Sequence, residues 1–447
     1  MGRLVVVSNR VPSSKERVQP AGGLTVGLKD AIKGEPSLWF GWSGNAQGKD
    51  DEPRPVIEEQ GGTTYATIDL TPAQHKGFYQ GFSNGILWPV CHYRLALMSY
   101  SREELQTYLE VNALFARVLK PLLKPDDVIW VQDYQLFTLG EALRELGVRN
   151  RIGFFLHIPF PPPGLFGALP GAEQLLRAIG RYDVIGMQTE EDARNINASF
   201  EPLGIAVRAG VFPIGIDPQS FLRDAISGGR SAQVKRFDQA VGDRPLIIGV
   251  DRLDYSKGLP ERFHGFDRLL RRFPQHRGKV SFLQVAPVSR GEVQQYRRLR
   301  RELDELAGRI NGDWAEMDWT PLRYITRAVP RKVLASVHRR ANIGLVTPLR
   351  DGMNLVAKEY VAAQDPEDPG VLVLSRFAGA APELPDALLV NPYDPDEIAE
   401  ALDQALGMSL SERKRRWSRM HEAVTSTTAA TWARDFLQVL RGAPEAA

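Results

Sequence analysis

Residues 343–359, IGLVTPLRDGMNLVAKE, carry the chain from a predicted strand into a predicted helix. The apolar run at 343–346 is typical of a buried strand, and the residues after Asn354 favour a helix. Between them lie a charged pair and a glycine, Arg350, Asp351 and Gly352, which continue neither element. A plain turn needs no charged pair. We therefore interpret this turn as part of a ligand site at the end of a strand in an α/β sheet.

The rest of the chain repeats this alternation of apolar runs and amphipathic segments. The apolar runs are continuous, as in strands that are buried on both faces of a parallel sheet. They predict strands at 4–7, 128–131, 152–156, 184–187, 246–250, 280–285, 343–346 and 371–374. The amphipathic segments predict helices at 103–119, 138–146, 190–200, 260–273, 292–307 and 354–364. The alternation predicts an α/β fold with doubly wound sheets.

The length of 447 residues is too great for a single core and predicts two domains. A turn-rich stretch, PIGIDPQSF, and the run SGGRS precede a new apolar strand, which places the boundary near 215–243. The two predicted domains are residues 1–225 and 235–425. By its pattern alone, a last helix near 430–440 is able to pack on either half.

Composition excludes several classes of function. The chain is 43% hydrophobic and 25% charged with a net charge of +2, which argues against a general nucleic-acid partner. Cys91 is the single cysteine, so the chain has no internal disulfide and no cysteine-rich zinc site. No apolar stretch approaches the roughly 18 residues of a membrane span. We expect a cytoplasmic protein with no membrane partner.

Polar or charged segments follow almost every predicted strand. Ligands of open α/β sheets bind beyond the carboxyl ends of the strands, so these segments are the candidate site. They are SNR at 8–10, QDY at 132–134, HIPFPPPG at 157–164, DRLDYSKG at 251–258, APVSRG at 286–291 and TPLRDG at 347–352. If two domains face each other, such ends converge on one cleft.

Arg252 and Lys257 indicate an anionic, phosphorylated ligand. Arginine binds phosphate through a fork of donors, and lysine acts as a compact charge. Both follow a predicted strand within one short segment. The alternative is a surface salt bridge to Asp251 or Asp254, and position alone does not separate the two interpretations.

The start of the helix after Gly352 indicates a second anion site. Asn354 is a good N-cap, which leaves the amides of Leu355 and Val356 facing outward. Glu359, one turn further, suits the hydroxyls of a ribose, while Asp351 suits those of a sugar. The alternative is an ordinary capped helix with a solvent-facing glutamate.

Weaker signals lie elsewhere. Gly22 and Gly23 precede a predicted helix and suit a close approach to phosphate, although turn glycines are common. Arg10 and Arg290 follow strands in opposite halves, where they could hold a second anion. The aromatic insert YQGFSNGILWP at 79–89 could wall a sugar pocket, and core packing is the alternative.

Several common catalytic patterns are absent from the sequence. It contains no P-loop, no HExxH and no GxSxG, and its seven histidines have no metal-ligand spacing. The DPD string at 394–396 suggests a metal–nucleotide motif, but its context favours a turn and an N-cap. We expect no metal and no bound cofactor.

A set of longer motifs resembles one known family. SNR, AGGL, FGWSG, FSNGILWP, NRIGFFLHIPFP, RLDYSKGLPERF, GRING and TPLRDGMNLVAKEYVAAQ resemble the trehalose-6-phosphate synthases in continuous order over about residues 3–425. The resemblance implies a retaining glucosyltransferase of the GT-B fold, with two Rossmann-like domains facing a central cleft. It implies transfer from a nucleotide donor, usually UDP-glucose, to glucose 6-phosphate. The product is α,α-trehalose 6-phosphate.

The resemblance also implies roles for individual residues and domains. Residues 1–225 would bind the acceptor, 235–425 the donor, and the helix at about 430–447 would pack back on the first domain. The implied donor-binding residues are Gly22, Gly23, Arg252, Lys257, Val329, Asp351, Gly352, Met353, Asn354, Leu355, Val356 and Glu359. The implied acceptor-binding residues are Arg10, Tyr79, Asp133 and Arg290, with Trp88 and Ile158 at positions linked to the preferred anomer. The implied catalytic residues are Arg252, Lys257, His157, which lies beside the transferred glucose, and Asp351.

Two departures from the family pattern accompany the match. The family commonly has HDYHL where this chain has QDYQL at 132–136, and an aromatic residue near uracil is Val329 here. The second departure leaves the nucleotide base open among UDP, GDP and ADP. A related transferase with a cyclitol or glucosylglycerol-type acceptor, and a non-catalytic regulatory subunit, are the rival functions. A homo-oligomer, either a dimer or a tetramer, is the expected assembly.

Overall fold

The computed structural model describes residues 2–12, 28, 36–49, 52–289 and 293–442. Two compact units make up this part of the chain. One contains the residues before 215 together with those from Ala429 onward, and the other is Gly215–Thr428. Within the described residues, every helix is too short or too polar to span a lipid bilayer.

The described part of the first unit has an eight-stranded sheet in the order β3-β4-β2-β1-β5-β6-β7-β8. Only the β3–β4 pair is antiparallel among the pairings of this sheet. The direction of winding reverses between β1 and β5, so the ends of these two strands form the switch point where ligands bind. The strands are β1 Leu4–Arg10, β2 Ser37–Trp42, β3 Val56–Gln60, β4 Thr63–Ile68, β5 Val128–Gln132, β6 Ile152–Phe155, β7 Val184–Met187 and β8 Ala209–Val211.

The helices of the first unit follow the strands closely. A π-helix, His75–Leu87, continues directly from α1 and leads into α2. Such long π-helices are rare, and shorter π-bulges are frequent at functional sites. The α-helices are α1 Pro72–Gln74, α2 Trp88–Cys91, α3 Arg102–Leu119, α4 Leu139–Glu145, α5 Pro163–Phe166, α6 Ala172–Ile179 and α7 Glu190–Phe200.

The second unit has a six-stranded parallel sheet in the order β11-β10-β9-β12-β13-β14. This is the strand order of a Rossmann fold, with its switch point between β9 and β12. The strands are β9 Leu246–Val250, β10 Ser281–Val285, β11 Leu322–Ile325, β12 Ile343–Val346, β13 Val371–Ser375 and β14 Leu388–Val390. The helices are α8 Pro218–Gly228, α9 Ala232–Val241, α10 Leu259–Arg272, α11 Gln294–Trp314, α12 Arg331–Arg340, α13 Leu355–Ala363, α14 Pro395–Leu406 and α15 Leu410–Ser426.

The boundary between the units lies between Ile214 and Gly215, at the start of the predicted boundary region 215–243. The first unit ends at Ile214, whereas the predicted first domain extends to residue 225. The reason is α8, whose Phe221 and Ala225 form a small apolar cluster with Ala335 of α12 and Ala363 of α13. Helix α8 therefore belongs to the second unit.

The last helix, α16 Ala429–Arg441, returns to the first unit. Its Trp432 and Phe436 rings lie 4.8 Å and 5.1 Å from the ring of Trp130 in β5. Gly153 of β6 makes room for the helix, since a Cβ there would lie 2.8 Å from Leu440. The helix thus completes the core on one face of the eight-stranded sheet.

The predicted fold class and all eight predicted strands are confirmed. Six further strands were not predicted from the sequence: β2, β3, β4, β8, β11 and β14. The six helices predicted from amphipathic segments are all present, although the one predicted at 292–307 is Gln294–Trp314, and the helix predicted after Gly23 lies largely outside the described residues.

Candidate active site

The turn between β12 and α13 lies against the loop that follows β9. In that loop Gly258 has a left-handed φ of 62°, and a Cβ there would overlap the carbonyl oxygen of Thr347. Asp254 fixes the loop from within, because its buried carboxylate accepts hydrogen bonds from the amide of Ser256 and from the hydroxyl of Tyr296, both at 3.0 Å. The two segments that the family resemblance assigns to the donor are therefore neighbours at the switch point.

Lys257 and Asp351 form an ion pair across this junction. Their side chains are only 12% and 13% exposed, and Asn354 Nδ2 also donates to the same Asp351 carboxylate at 3.0 Å. The predicted alternative partners of the lysine, Asp251 and Asp254, are occupied elsewhere in the structure. Lys257, which is predicted to bind phosphate, and Asp351, which is predicted to bind the sugar, thus contact each other, although they are 94 residues apart in the sequence.

The head of α13 is built as the sequence predicts. Asn354 is its N-cap, and the side-chain oxygen accepts from the amide of Ala357 at 3.2 Å. Asn354 adopts φ 82° and ψ 85°, a strained left-handed conformation that asparagine tolerates better than most residues. Gly352 is approached by protein backbone, because a Cβ on Gly379 would overlap its carbonyl oxygen.

Glu359 lies near Arg331, the first residue of α12. Burial raises the pKa of the Glu359 carboxyl to about 7, and the positive charge of Arg331 partly opposes this shift. Val329 is partly buried and stands two residues before Arg331, at the start of α12. Arg331 is thus close enough for its charge to act on the predicted ribose position, and it lies two residues from the predicted base position.

Arg262 is a buried residue that was not predicted from the sequence. Its fully buried guanidinium donates to Asp251 Oδ2 at 2.8 Å, to Gln284 Oε1 at 3.0 Å and to Thr347 Oγ1 at 3.0 Å. These partners stand at the ends of β9, β10 and β12, so one side chain ties three strand ends together. The sequence feature that could have indicated its burial is its position on the apolar face of α10, next to Phe263.

In the first unit, Arg10 and Tyr79 are both neighbours of Trp42, at the end of β2. Arg10 pairs in register with Trp42, whose ring lies 5.8 Å from that of Tyr79. Gly44, at φ 96°, lies beneath the arginine, and a Cβ there would be 2.8 Å from Arg10 Nε. Their predicted companion Arg290 lies outside the described residues, as do Gly22 and Gly23 of the predicted donor site.

Asp133 and His157 meet at the first unit's switch point. The side chain of Asp133 accepts a hydrogen bond from the backbone amide of His157 at 3.1 Å. Asp133 has φ 73° and ψ 169°, a region almost confined to glycine, and such strain is concentrated at functional sites. Burial lowers the pKa of the His157 imidazole to about 3, so the ring is neutral at physiological pH.

Trp88 and Ile158 are both buried, with 4% and 6% of their surface exposed. The Trp88 ring lies 4.2 Å from that of His92 and 5.6 Å from that of Tyr134. Trp88 is thus largely packed in the core, which was the alternative to a sugar-pocket wall for the aromatic insert.

Two further predictions concern metals. Asp394 is the N-cap of α14 and accepts from the amides of Asp396 and Glu397, so the DPD string forms a turn as expected. Among the described residues, no three histidine, cysteine or acidic side chains are grouped as metal ligands.

Charged groups and a helix start at the switch point of a Rossmann sheet are the arrangement that holds the phosphates and ribose of a nucleotide. The fold and the site thus define a nucleotide-dependent enzyme built from two Rossmann-like units.

Comparison with known proteins narrows this class to one family. The sequence pattern of glycosyltransferase family 20 matches residues 2–442. The trehalose-6-phosphate synthase of Sinorhizobium fredii is 49% identical, over 98% of this chain and 98% of its own length. The chain therefore belongs to glycosyltransferase family 20, and the resemblance found in its motifs is confirmed.

Solved structures agree with this assignment. A UDP-forming α,α-trehalose-phosphate synthase from Burkholderia xenovorans in complex with glucose-6-phosphate has a TM-score of 0.95 at 46% identity, over 99% of this chain and 100% of that one. An E. coli trehalose-6-phosphate protein bound with UDP-2-fluoro glucose has a TM-score of 0.94 at 46% identity, with the same coverage. The GT-B fold with two Rossmann-like domains is thereby confirmed.

Proposed function

We propose that the protein transfers glucose from UDP-glucose to glucose 6-phosphate with retention of configuration, producing α,α-trehalose 6-phosphate and UDP. One observation carries this proposal. Lys257, Asp351 and Asn354 form a compact charged cluster at the β12–α13 turn of a chain that is 46% identical to a protein bound with UDP-2-fluoro glucose. The Burkholderia relative, which is bound to glucose-6-phosphate, supports the nature of the acceptor.

On the donor side, Arg252 and Lys257 bind the diphosphate together with the first amides of α13. In the structure Lys257 is paired with Asp351. The diphosphate replaces Asp351 as the partner of the lysine, and the released carboxylate then accepts hydrogen bonds from glucose hydroxyls. Glu359 accepts from the ribose, and the base lies near Val329.

On the acceptor side, Arg10 and Tyr79 bind the phosphate of glucose 6-phosphate, with Arg290 as their companion. Their common neighbour Trp42, at the end of β2, supports this role. Asp133, held near the backbone of His157, binds an acceptor hydroxyl. Trp88 and Ile158 act on anomer preference from buried positions.

In the proposed reaction the acceptor hydroxyl attacks from the face that the diphosphate leaves, without a protein nucleophile. The proton passes from the attacking hydroxyl to the leaving oxygen. Arg252 and Lys257 stabilise the charge that grows on the diphosphate. Since these two residues supply positive charge, we propose that turnover needs no metal or cofactor and persists in EDTA.

The test uses purified protein with UDP-glucose and ¹³C-labelled glucose 6-phosphate, and NMR of the product. The expected product has both anomeric carbons in the α configuration, and UDP forms in equal amount. GDP-glucose, ADP-glucose and unphosphorylated glucose are parallel arms. Transfer to unphosphorylated acceptors only, or no transfer by the isolated protein, would overturn the proposal.

We also infer a homo-oligomer, a dimer or tetramer, in the cytoplasm. The edge strand β3 supports self-association, because all five of its residues are exposed and they include Val56 and Ile57. The proposed substrates are charged metabolites that do not cross membranes unaided, which supports the location. Light scattering coupled to gel filtration tests the assembly, and a monomer at all concentrations would contradict it.

A further inference from the structure

Two buried glutamines hold the imidazole of His157 from both sides. Gln188 Nε2 lies 3.2 Å from His157 Nδ1, and Gln132 Oε1 lies 2.9 Å from His157 Nε2. Both glutamines are almost fully buried, with 3% and 1% of their surface exposed. They follow or end different strands, β7 and β5, so the fold brings them together at the first unit's switch point.

The direction of this hydrogen-bonded chain is set by the backbone. The amide of Ile214 donates to Gln188 Oε1 at 2.9 Å, and a backbone N–H is able only to donate. The other end of the Gln188 amide, its NH₂ group, must therefore face His157 Nδ1, which accepts. The single proton of the neutral ring then lies on Nε2 and is donated to Gln132 Oε1.

We propose that Gln188 and Gln132 are positioning residues that keep His157 as the uncharged Nε2–H tautomer while glucose is transferred. The inference rests on the proposed function, in which His157 lies beside the donor glucose. Because both ring nitrogens are occupied by glutamines, the imidazole does not exchange protons with either sugar.

An uncharged ring suits the proposed chemistry. Glycosyl transfer passes through a transition state with positive charge on the sugar. A protonated imidazole nearby would raise the energy of that state by Coulomb repulsion, which is strong in a buried site. A tenfold loss of rate corresponds to about 1.4 kcal/mol of repulsion, which is less than two unit charges about 4 Å apart generate near a protein surface.

The surroundings of the ring favour the neutral form. The rings of Phe155 and Trp432 lie 4.7 Å and 5.7 Å from it, and burial lowers the pKa of the imidazole to about 3. Within the described part of the chain, the charged side chain that contacts His157 is Asp133, which accepts from the backbone amide. Its negative charge favours protonation, which the amide of Gln188 opposes by donating to Nδ1.

The first experiment is NMR on the substrate-free protein with ¹⁵N-labelled histidine, in which His157 is assigned by its loss in His157→Asn. We expect an unprotonated Nδ1 and a protonated Nε2, unchanged from pH 5 to pH 8. A proton on Nδ1, or a titration within this range, would overturn the proposal. This measurement needs no substrate, so it fails independently of the proposed function.

The second experiment uses Gln188→Glu, which keeps an acceptor for Ile214 but removes the donor to Nδ1. We expect the pKa of His157 to rise in this variant. At pH values below the raised pKa, kcat should be at least tenfold lower than that of the wild type at the same pH, and the KM values for both substrates should stay within about twofold of the wild-type values. Asp396→Asn, at an exposed carboxylate that pairs with Arg272 in the second unit, is the control and should retain the wild-type spectrum and kcat. Unchanged kcat in a Gln188→Glu protein whose spectrum shows both nitrogens protonated would refute the electrostatic role.

Discussion

Replacing Asp351 with asparagine should affect the binding of UDP and the transfer of glucose in opposite directions. In the free protein the Asp351 carboxylate competes with a diphosphate for Lys257. A hydrogen bond to a charged group contributes about 1.5–3 kcal/mol, whereas a neutral one contributes about 0.5–1.5 kcal/mol. Both side chains are nearly buried, so screening by solvent is weak. Loss of the negative charge therefore weakens the competitor by about 1–1.5 kcal/mol.

We expect Asp351→Asn to bind UDP about five- to tenfold more tightly than the wild type. Its kcat with UDP-glucose should fall at least tenfold, because a neutral amide is a poorer acceptor for the sugar hydroxyls. Calorimetric titration with UDP measures the first effect, and coupled detection of UDP release measures the second. Asp396→Asn is the matched control, since this exposed carboxylate pairs with Arg272 far from the turn in sequence. Weaker or unchanged UDP binding in Asp351→Asn would refute the competition.

Four further outcomes follow from the structure. Arg252→Ala should lower kcat by roughly two orders of magnitude, and near-normal turnover would remove this residue from the leaving-group site. Arg262→Met leaves the buried Asp251 carboxylate unpaired and should reduce the free energy of unfolding by about 3–5 kcal/mol in urea titrations, where a loss below 1 kcal/mol would contradict the buried network. UDP affinity should increase as the pH rises through about 7, because the ionised Glu359 carboxylate accepts more strongly from the ribose hydroxyls than the protonated acid does; the contribution of Glu359 to this pH dependence should be lost in Glu359→Gln. Asp133→Gly should relieve backbone strain that Asp133→Ala retains. The free energy of unfolding of the glycine variant should therefore equal that of the alanine variant or exceed it by up to about 1 kcal/mol, while both variants lose activity.

Continuous apolar strands such as β9 and β12 were predictable, because burial on both faces leaves an unmistakable run. The hairpin of β3 and β4 was missed, because β3 is exposed and its sequence, VIEEQ, lacks such a run. Its turn did carry a signal, the pair Gly61–Gly62, whose φ values of 59° and 86° suit a tight hairpin.

Residues of the candidate site were predictable where they follow strands, and their partners were not. Nothing local links Lys257 to Asp351, since their contact depends on how two loops pass at the switch point. The role of Arg262 was not predictable for the same reason, because its hydrogen-bond partners come from three different strands. The predicted first domain, 1–225, wrongly included most of α8, because α8 packs on α12, which lies about 100 residues later in the sequence.

The return of α16 to the first unit has a consequence for biosynthesis. Residues 429–441, which cover Trp130 and Phe155, leave the ribosome only after the whole of Gly215–Thr428 has been made. During synthesis, two large aromatic rings of the amino-terminal sheet therefore stay uncovered until the second unit has been made. A nascent chain stalled before residue 429 would expose this apolar face and be an expected client for chaperones.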